Sequence, residues 1–255
     1  MQSTYDLKGK TALVTGASGG LGAAFARMLA ESGASVILAA RRREPLHALV
    51  RGIEEKGGAA RAVAMDVSDP ASVRAGFEAI GQSGAVADVI VCNAGVALTR
   101  AALDVSPEDW NQVIGTNLTG CWLVAREAAR RLIEAGKPGA IINITSILGH
   151  RVAGAVMPYA VAKAGLEQMT RCLALEWARH GIRVNALAPG YINTPLNAAF
   201  FESDAGKTML RRIPMRRLGL AQDLRAPLLL LASDDSAFMT GSTLVVDGGH
   251  LQSSL

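Results

Sequence analysis

The sequence contains few cysteines, and their spacing does not suit cross-linking. Cys92, Cys121 and Cys172 are the three cysteines among 255 residues, and no two of them have the CxxC spacing of a zinc site. An odd number of widely separated cysteines also argues against a disulfide framework. We therefore expect neither a structural metal nor a disulfide, and predict a fold that is held together by its apolar core.

Long apolar segments and clustered charge are also lacking. The longest apolar runs, such as residues 226–232, are too short to span a bilayer, and the first ten residues lack the apolar segment of a secretory signal. The 26 basic residues only slightly outnumber the 22 acidic ones, and they are scattered except for a short run at 41–43. A nucleic-acid-binding face would need a clustered basic stripe. These absences favour a cytoplasmic protein with neither a nucleic-acid nor a membrane partner.

Aromatic residues are scarce as well, at 4% of the chain, so the core must be built from aliphatic residues. Short apolar runs alternate with helical patterns from end to end. Seven runs are predicted to be strands: residues 11–16, 35–40, 61–67, 88–95, 140–146, 182–190 and 242–249. Most are continuously apolar, which is typical of parallel strands covered on both faces.

This alternation predicts a single α/β domain over residues 1–255. Its core is expected to be a Rossmann-type, doubly wound parallel sheet of about seven strands with helices on both faces. Residues 191–218 break the alternation, because they are polar, mixed in character and long. We interpret them as a loop that binds substrate.

Three glycines follow the first predicted strand. Gly16, Gly20 and Gly22 lie between this strand and the next predicted helix. Glycines in this position allow a sharp turn and a close approach to a pyrophosphate, whose charge a helix N-terminus favours. A tight turn without a ligand is the alternative, but the position after the first strand favours a dinucleotide site.

The end of the second predicted strand bears on the choice of dinucleotide. A carboxylate there would bind a ribose 2′-hydroxyl, whereas this chain has Ala40 followed by Arg41, Arg42 and Arg43. Arginine binds phosphate in a bidentate manner. We therefore favour NADP(H), and NAD(H) stays possible if these arginines only form the solvated start of a helix.

Tyr159 and Lys163 form the first candidate catalytic pair. Four residues apart on a predicted helix, they project from the same face. An isolated phenol has a pKa of about 10, and a neighbouring ammonium stabilises its charged form, so such a pair can exchange protons near neutral pH. Spacing alone would favour a core tyrosine beside a lysine that reaches solvent.

Two further polar residues favour the catalytic interpretation. Ser146 ends the fifth predicted strand, at the edge where open α/β sheets bind ligands, and its hydroxyl can donate to a carbonyl oxygen. Asn117 lies within a predicted helix that opens at Ser106 and runs to about Glu134, where asparagine is mildly unfavourable. The alternative for Asn117 is a helix interruption or a satisfied buried amide.

With these residues in place, the chain resembles the short-chain dehydrogenase/reductase family, in its single-domain branch. The resemblance covers nearly the whole chain and is carried by eight segments in order: TGASGGLG (15–22), DV (66–67), CNAG (92–95), TNLTG (116–120), INITS (142–146), YAVAK (159–163), APGYINT (188–194) and VVDGG (245–249). Cys92 departs from the asparagine that often precedes NAG in the family. Together the eight segments are far more specific than any one of them.

The resemblance implies roles for individual residues. Tyr159 would be the acid/base, and Lys163 would stabilise its phenolate and bind the nicotinamide ribose. Ser146 would polarise the substrate oxygen, and Asn117 would distort its helix and hold a water in a proton relay. The implied cofactor-binding residues, besides Tyr159 and Lys163, are Gly16, Ser18, Gly20, Leu21, Gly22, Arg41, Arg42, Asp66, Val67, Asn93, Ala94, Gly95, Pro189, Gly190, Ile192 and Thr194.

The expected function is therefore an NADP(H)-dependent oxidoreductase that interconverts a ketone and a secondary alcohol, with a small-molecule carbonyl or alcohol as substrate. A 3-oxoacyl thioester reductase and an NAD-dependent sugar or polyol dehydrogenase are the alternatives within the family. A non-catalytic NADP(H) sensor would be expected to lose part of the Ser-Tyr-Lys set, and a nucleotide-sugar epimerase to carry an extra substrate domain. The resemblance also implies a homotetramer.

Overall fold

The computed structural model describes residues 5–194 and 201–253, and it contains one seven-stranded sheet. The strands are β1 (Thr11–Thr15), β2 (Ser35–Ala40), β3 (Ala59–Ala64), β4 (Val89–Cys92), β5 (Gly139–Ile144), β6 (Ile182–Pro189) and β7 (Thr243–Val246). All are parallel, in the order β3-β2-β1-β4-β5-β6-β7. The strand order reverses between β1 and β4, so the predicted doubly wound fold is confirmed.

Helices cover both faces of this sheet. They are α1 (Gly20–Glu31), α2 (Arg43–Glu54), α3 (Pro70–Gln82), α4 (Pro107–Ile114), α5 (Gly120–Glu134), α6 (Met157–Trp177), α7 (Asp204–Arg212) and α8 (Arg225–Ala232). One apolar core lies under α1, α2 and α8, and a second lies under α3, α5 and α6. Cys92 and Cys121 are buried as free thiols in the second core. Within the described ranges, no helix is both long and apolar enough to cross a membrane.

Several strands end earlier than the sequence predicts. β3 starts at Ala59 rather than at residue 61 and ends at Ala64 rather than at residue 67, because its partner β2 ends at Ala40, which pairs with Ala64. β4 ends at Cys92, three residues before the predicted end. The chain beyond both strands is free of the ladder and lies at the carboxyl edge of the sheet, where it can line a site.

The predicted helix over residues 106–134 is confirmed in its limits but is not regular. Ser106 caps its N-terminus through a reciprocal pair of hydrogen bonds with Asp109. At Gly115–Thr119 the α-helical pattern gives way to one turn of π-helix, and α5 continues beyond it. Such a turn is frequent at functional sites, and this one contains Asn117.

Pro227 lies in a helix that starts later than the sequence predicts. From its position, this proline is expected to bend or shift a helix over residues 222–232. In the structure α8 starts at Arg225, after a 3-10 turn over Ala221–Leu224. Pro227 thus lies in the first turn, where backbone N–H groups have no partner within the helix in any case.

Candidate active site

A cleft of about 950 Å³ runs along the carboxyl edge of the sheet and crosses the switch point between β1 and β4. All of the predicted site residues except Asn117 line it. These are Gly16, Ser18, Gly20, Leu21, Gly22, Arg41, Arg42, Asp66, Val67, Asn93, Ala94, Gly95, Ser146, Tyr159, Lys163, Pro189, Gly190, Ile192 and Thr194. We call the part formed by residues 16–22 with Arg41 and Arg42 the glycine end, and the part formed by Ser146, Tyr159, Lys163 and residues 189–194 the tyrosine end.

The turn at the glycine end requires residues without side chains at key positions. A Cβ atom on Gly22 would lie 2.3 Å from the carbonyl oxygen of Gly16 and 2.6 Å from Nδ2 of Asn93, so no other residue fits without a shift of the turn. Gly16 itself has φ of +66°, which favours glycine. Helix α1 begins at Gly20 without a side-chain cap, so its first N–H groups remain available to an anion. This geometry fits the pyrophosphate of a dinucleotide.

The glycine end also carries charged side chains that suit a phosphate group in addition to the pyrophosphate. Arg41 and Arg42 are exposed on the rim of the cleft, and Nη2 of Arg42 donates to Oγ of Ser18 at 3.3 Å. Burial by itself would raise the pKa of Asp66, but hydrogen bonds from Ser68 and the nearby Arg41 together lower it below its usual range. Two guanidinium groups where a carboxylate would select a 2′-hydroxyl fit NADP(H).

Asn93 braces the glycine turn from the neighbouring strand. Its Nδ2 donates to the carbonyl oxygen of Thr15 at 3.0 Å, and its backbone N–H donates to Oγ1 of Thr15, also at 3.0 Å. The side chain was expected to line the adenosine side of the cleft. It does border the cleft, but its amide is committed to holding the ends of β1 and β4 together.

Ser146 follows the end of β5 and begins a short 3-10 turn over Ile147–Gly149. Its Oγ accepts a hydrogen bond from the backbone N–H of Leu148 at 3.1 Å, which leaves the hydroxyl proton free to donate into the cleft. A Cβ atom on Gly149 would lie 3.1 Å from the carbonyl carbon and oxygen of Lys163. Glycine therefore lets this turn pack closely on α6, the helix that carries Tyr159.

Lys163 is fixed more firmly than a solvent-reaching lysine would be. Its side chain is 4% exposed, and Nζ donates to the carbonyl oxygen of Ile144 at 2.7 Å. The same nitrogen lies 5.5 Å from the centre of the Tyr159 ring. Tyr159 is half-buried and borders the cleft, and its hydroxyl makes no hydrogen bond with any residue in the described ranges. The pair therefore provides the hydroxyl group of Tyr159 at the cleft and the buried ammonium group of Lys163 next to the tyrosine ring.

Asn117 does not line the cleft, and it lies in the π-helical turn, so the expected local distortion of its helix is present. It is fully buried, with Oδ1 accepting from the N–H of Val96 and Nδ2 donating to the carbonyl oxygen of Val96, each at 2.8 Å. Both halves of the amide are thus hydrogen-bonded to one backbone unit, and the water that Asn117 is expected to hold stays a prediction. The side chain ties the π-helical turn to the segment that follows β4.

The apolar wall of the tyrosine end combines predicted and unpredicted residues. Residues 147–157, which are mostly apolar and follow Ser146, are expected from the sequence to line the pocket together with the loop 191–218, of which residues 195–200 lie outside the described ranges. Ile147, Leu148, Val156 and Tyr191 do line the cleft, and Val96 and Ala97 join them from beyond β4. The last two carry no chemical signal that a sequence could reveal.

Two polar residues of the 147–157 segment lie away from the cleft. His150 is exposed and lies 3.4 Å from the buried carboxylate of Glu167. Arg151 donates to the carbonyl oxygen of His250 at 2.7 Å and to Oγ of Ser253 at 2.8 Å. Neither residue is available to a ligand at the centre of the cleft, and Arg151 fastens the segment around His250 instead.

Comparison with known proteins places this cleft in context. A family model described as "Enoyl-(Acyl carrier protein) reductase" matches residues 16–250. The chain is 44% identical to the 3beta-hydroxysteroid dehydrogenase 1 of Eggerthella lenta, over 96% of this chain and 94% of that protein. It is 40% identical to the cis-4-hydroxycyclohexanecarboxylate dehydrogenase of Sinomonas cyclohexanicum, over 94% and 96% of the two chains.

A solved structure is similar over the same length. The gluconate 5-dehydrogenase from Burkholderia cenocepacia J2315, in complex with NADP and tartrate, matches with a TM-score of 0.94 at 36% identity, over 98% of each chain. Because these similarities extend over nearly the whole chain, they include both ends of the cleft.

Proposed function

The chain belongs to the short-chain dehydrogenase/reductase family of oxidoreductases, and on this premise we propose that it interconverts a ketone and a secondary alcohol with NADP(H). One observation carries the proposal. The Tyr159 hydroxyl, the Ser146 hydroxyl and the buried ammonium of Lys163 all border the same cleft as the glycine turn. A group that exchanges a proton and a site that fits a dinucleotide thus share one continuous space.

Each residue of the tyrosine end has a separate task. Ser146 donates a hydrogen bond to the substrate oxygen and stabilises the negative charge that develops there. Tyr159 gives its proton to that oxygen in reduction and takes it back in oxidation. Lys163, held by the carbonyl oxygen of Ile144, stabilises the phenolate that remains. NADP(H), when bound, supplies or accepts the hydride.

The glycine end would hold the dinucleotide. The N–H groups at the start of α1 would bind its pyrophosphate, and Arg41 and Arg42 would bind the 2′-phosphate. The NADP in the Burkholderia cenocepacia relative supports this assignment. NAD(H) is the alternative, and tighter binding of NADH than of NADPH would establish it.

We propose a free ketone or secondary alcohol as substrate rather than an acyl thioester on an acidic carrier. The wall at the tyrosine end is largely apolar, and the loop 191–218 would complete it. An acidic carrier would need a cationic rim, for which this loop offers the exposed Arg211, Arg212 and Arg216, whereas Arg217 is paired with Asp223. Two relatives are named for alcohols on saturated rings, a hydroxysteroid and a hydroxycyclohexanecarboxylate, which supports a free alcohol.

We also propose a homotetramer. Trp122 and Ile133 on α5 leave apolar surface exposed, as do Phe238 and Val245 beside and within the edge strand β7. Light scattering after size-exclusion chromatography should therefore give four times the mass of the chain. A mass equal to one chain would contradict the proposal.

The central experiment follows absorbance at 340 nm while the enzyme reduces a panel of keto esters, cyclic ketones and acyl thioesters with NADPH. We expect turnover of at least one ketone, and expect Tyr159→Phe to lower kcat by about 10³-fold because the acid/base is lost. NADPH binding, followed by fluorescence, should persist in that variant. Tyr5→Phe is the matched control, because Tyr5 packs against the core outside the cleft.

Two results would contradict the proposal. Turnover by Tyr159→Phe at the parent rate would remove the assigned acid/base. Tight NADPH binding without turnover of any ketone or alcohol would instead identify a binding or regulatory protein.

A further inference from the structure

Tyr191 is a third hydroxyl at the tyrosine end, and the proposed reaction does not use it. It directly follows Pro189 and Gly190 at the end of β6 and borders the same cleft as Ser146 and Tyr159. No hydrogen bond from its hydroxyl to another residue is found within residues 5–194 and 201–253. A phenol without a partner in the described part of the chain is available to a bound molecule.

The backbone of Tyr191 is held in place by the segment that follows α7. The N–H of Gly219 donates to the carbonyl oxygen of Tyr191 at 2.9 Å, and the N–H of Asn193 donates to the carbonyl oxygen of Gly219 at 2.7 Å. Ile192, between them, forms a parallel bridge with Gly219. The residue is therefore part of a paired segment rather than of an open loop.

The ring of Tyr191 is also fixed. It meets the ring of Phe201 edge to face and that of His250 at a tilt of 39°, with the centres 5.5 Å apart in both pairs. His250 is 6% exposed, and Arg151 holds its carbonyl oxygen at 2.7 Å. Because the ring is already ordered, its hydroxyl can bind a ligand with little further loss of conformational freedom.

The electrostatic environment makes Tyr191 a donor rather than a second base. Burial raises the pKa of Tyr191, and negative charge on the nearby Tyr159 raises it further. Its hydroxyl therefore remains protonated across the working pH range. Tyr159 and Tyr191 both line the same cleft, so one bound molecule can reach both hydroxyls.

Much of the cleft wall at the tyrosine end is apolar. Val96, Ala97, Leu148 and Val156 line the cleft together with Tyr191. A site that provides a hydrogen-bond donor in an otherwise apolar wall rejects ligands that leave the donor unpaired. A substrate in this part of the cleft therefore needs a polar atom for Tyr191 besides the oxygen that Tyr159 protonates.

We propose that Tyr191 is a specificity-determining residue, whose hydroxyl binds a second oxygen atom of the substrate beside the reacting carbon. The inference rests on the proposed function, since it takes Tyr159 as the group that binds the reacting oxygen. The shortest arrangement that satisfies both hydroxyls is oxygen on adjacent carbons. The favoured substrates are then α-hydroxy ketones and, in the reverse direction, vicinal diols.

The test compares two ketones of nearly equal size, cyclohexanone and 2-hydroxycyclohexanone, with NADPH. We expect the parent to prefer the hydroxy ketone in kcat/KM, and expect Tyr191→Phe to lower that preference about tenfold. The loss should appear mainly in KM for the hydroxy ketone, because the contact is made before and during reaction alike. Phenylalanine keeps the ring contacts with Phe201 and His250, so cyclohexanone turnover should change little. Tyr5→Phe should leave both values unchanged.

Failure of this inference is distinguishable from failure of the proposed function. If Tyr191→Phe affects both ketones equally or neither, or if the parent reduces other ketones but shows no preference for the hydroxy ketone, the inference is overturned. If Tyr159→Phe reduces ketones as fast as the parent, the proposed function is overturned and the inference with it.

Discussion

The two ends of the cleft differ in whether the backbone or the side chains give them their properties. At the glycine end the turn is shaped by the backbone, and Gly22 is needed because it lacks a side chain. At the tyrosine end the proposed chemistry belongs to side chains, of which Ser146 is held by the N–H of Leu148 and Lys163 by the carbonyl oxygen of Ile144. Added bulk should therefore damage the first end, and the loss of a single functional group should damage the second.

The sharpest test of this contrast removes the ammonium at the tyrosine end. Lys163→Met keeps a side chain of similar length in a buried position but cannot stabilise a phenolate, so we expect kcat to fall by about 10²-fold. Steady-state kinetics at saturating NADPH would measure this. Lys137→Met, at an exposed position, is the control. An unchanged kcat in Lys163→Met would show that the tyrosine end does not work through its side chains.

Bulk added at the glycine end should act on binding instead. Gly22→Ala places a methyl group 2.3 Å from the carbonyl oxygen of Gly16, which forces the turn to move. We expect about tenfold weaker NADPH binding and a loss of about 1–3 kcal/mol in unfolding free energy. Fluorescence titration and thermal unfolding would measure the two effects.

The control for this variant is Gly52→Ala within α2, where an added Cβ has no atom within 4 Å. That variant should bind NADPH like the parent. Equal behaviour of the two alanine variants would contradict the steric account of the glycine turn.

The smallest expected effect concerns the charged rim of the glycine end. Arg42→Ala should weaken NADPH binding by severalfold to about tenfold and leave NADH binding unchanged, because only NADPH carries the 2′-phosphate. Arg43→Ala is the matched control, since Arg43 opens α2 and does not line the cleft. An equal loss for both dinucleotides would show that Arg42 supports the turn through Ser18 rather than reading the phosphate.

The glycine end was the more predictable of the two from sequence. The spacing of Gly16 and Gly22 after an apolar strand is enough to predict a dinucleotide-binding turn. The strands β1 and β2 also end within one residue of their predicted limits. β3 was predicted to be too long, since its apolar run continues past the point where its partner β2 stops. The end of β3 is therefore set by its pairing with β2 and not by the apolar composition of its sequence.

The tyrosine end depended more on contacts between distant parts of the chain. The sequence identifies Tyr159 and Lys163 as a pair. It does not predict where the Asn117 amide binds, because its partner is the backbone of Val96, and backbone groups do not depend on the side chain at that position. The sequence identifies Tyr191 only as part of the predicted substrate loop 191–218. Its significance depends on Phe201 and His250, which meet it only in the folded chain.

The widened turn at Gly115–Thr119 has a consequence for insertions and deletions. It accommodates one residue more than an α-helical turn would, and each residue of an α-helix is rotated by about 100° from the one before. Deleting a single residue there would leave a regular α-helical turn and remove the widening that holds the Asn117 amide against Val96. Inserting a further residue that the turn cannot absorb would rotate Cys121, Val124 and Ala128 away from the second core. Chain length in this stretch should thus be under tighter constraint than the identity of most of its side chains.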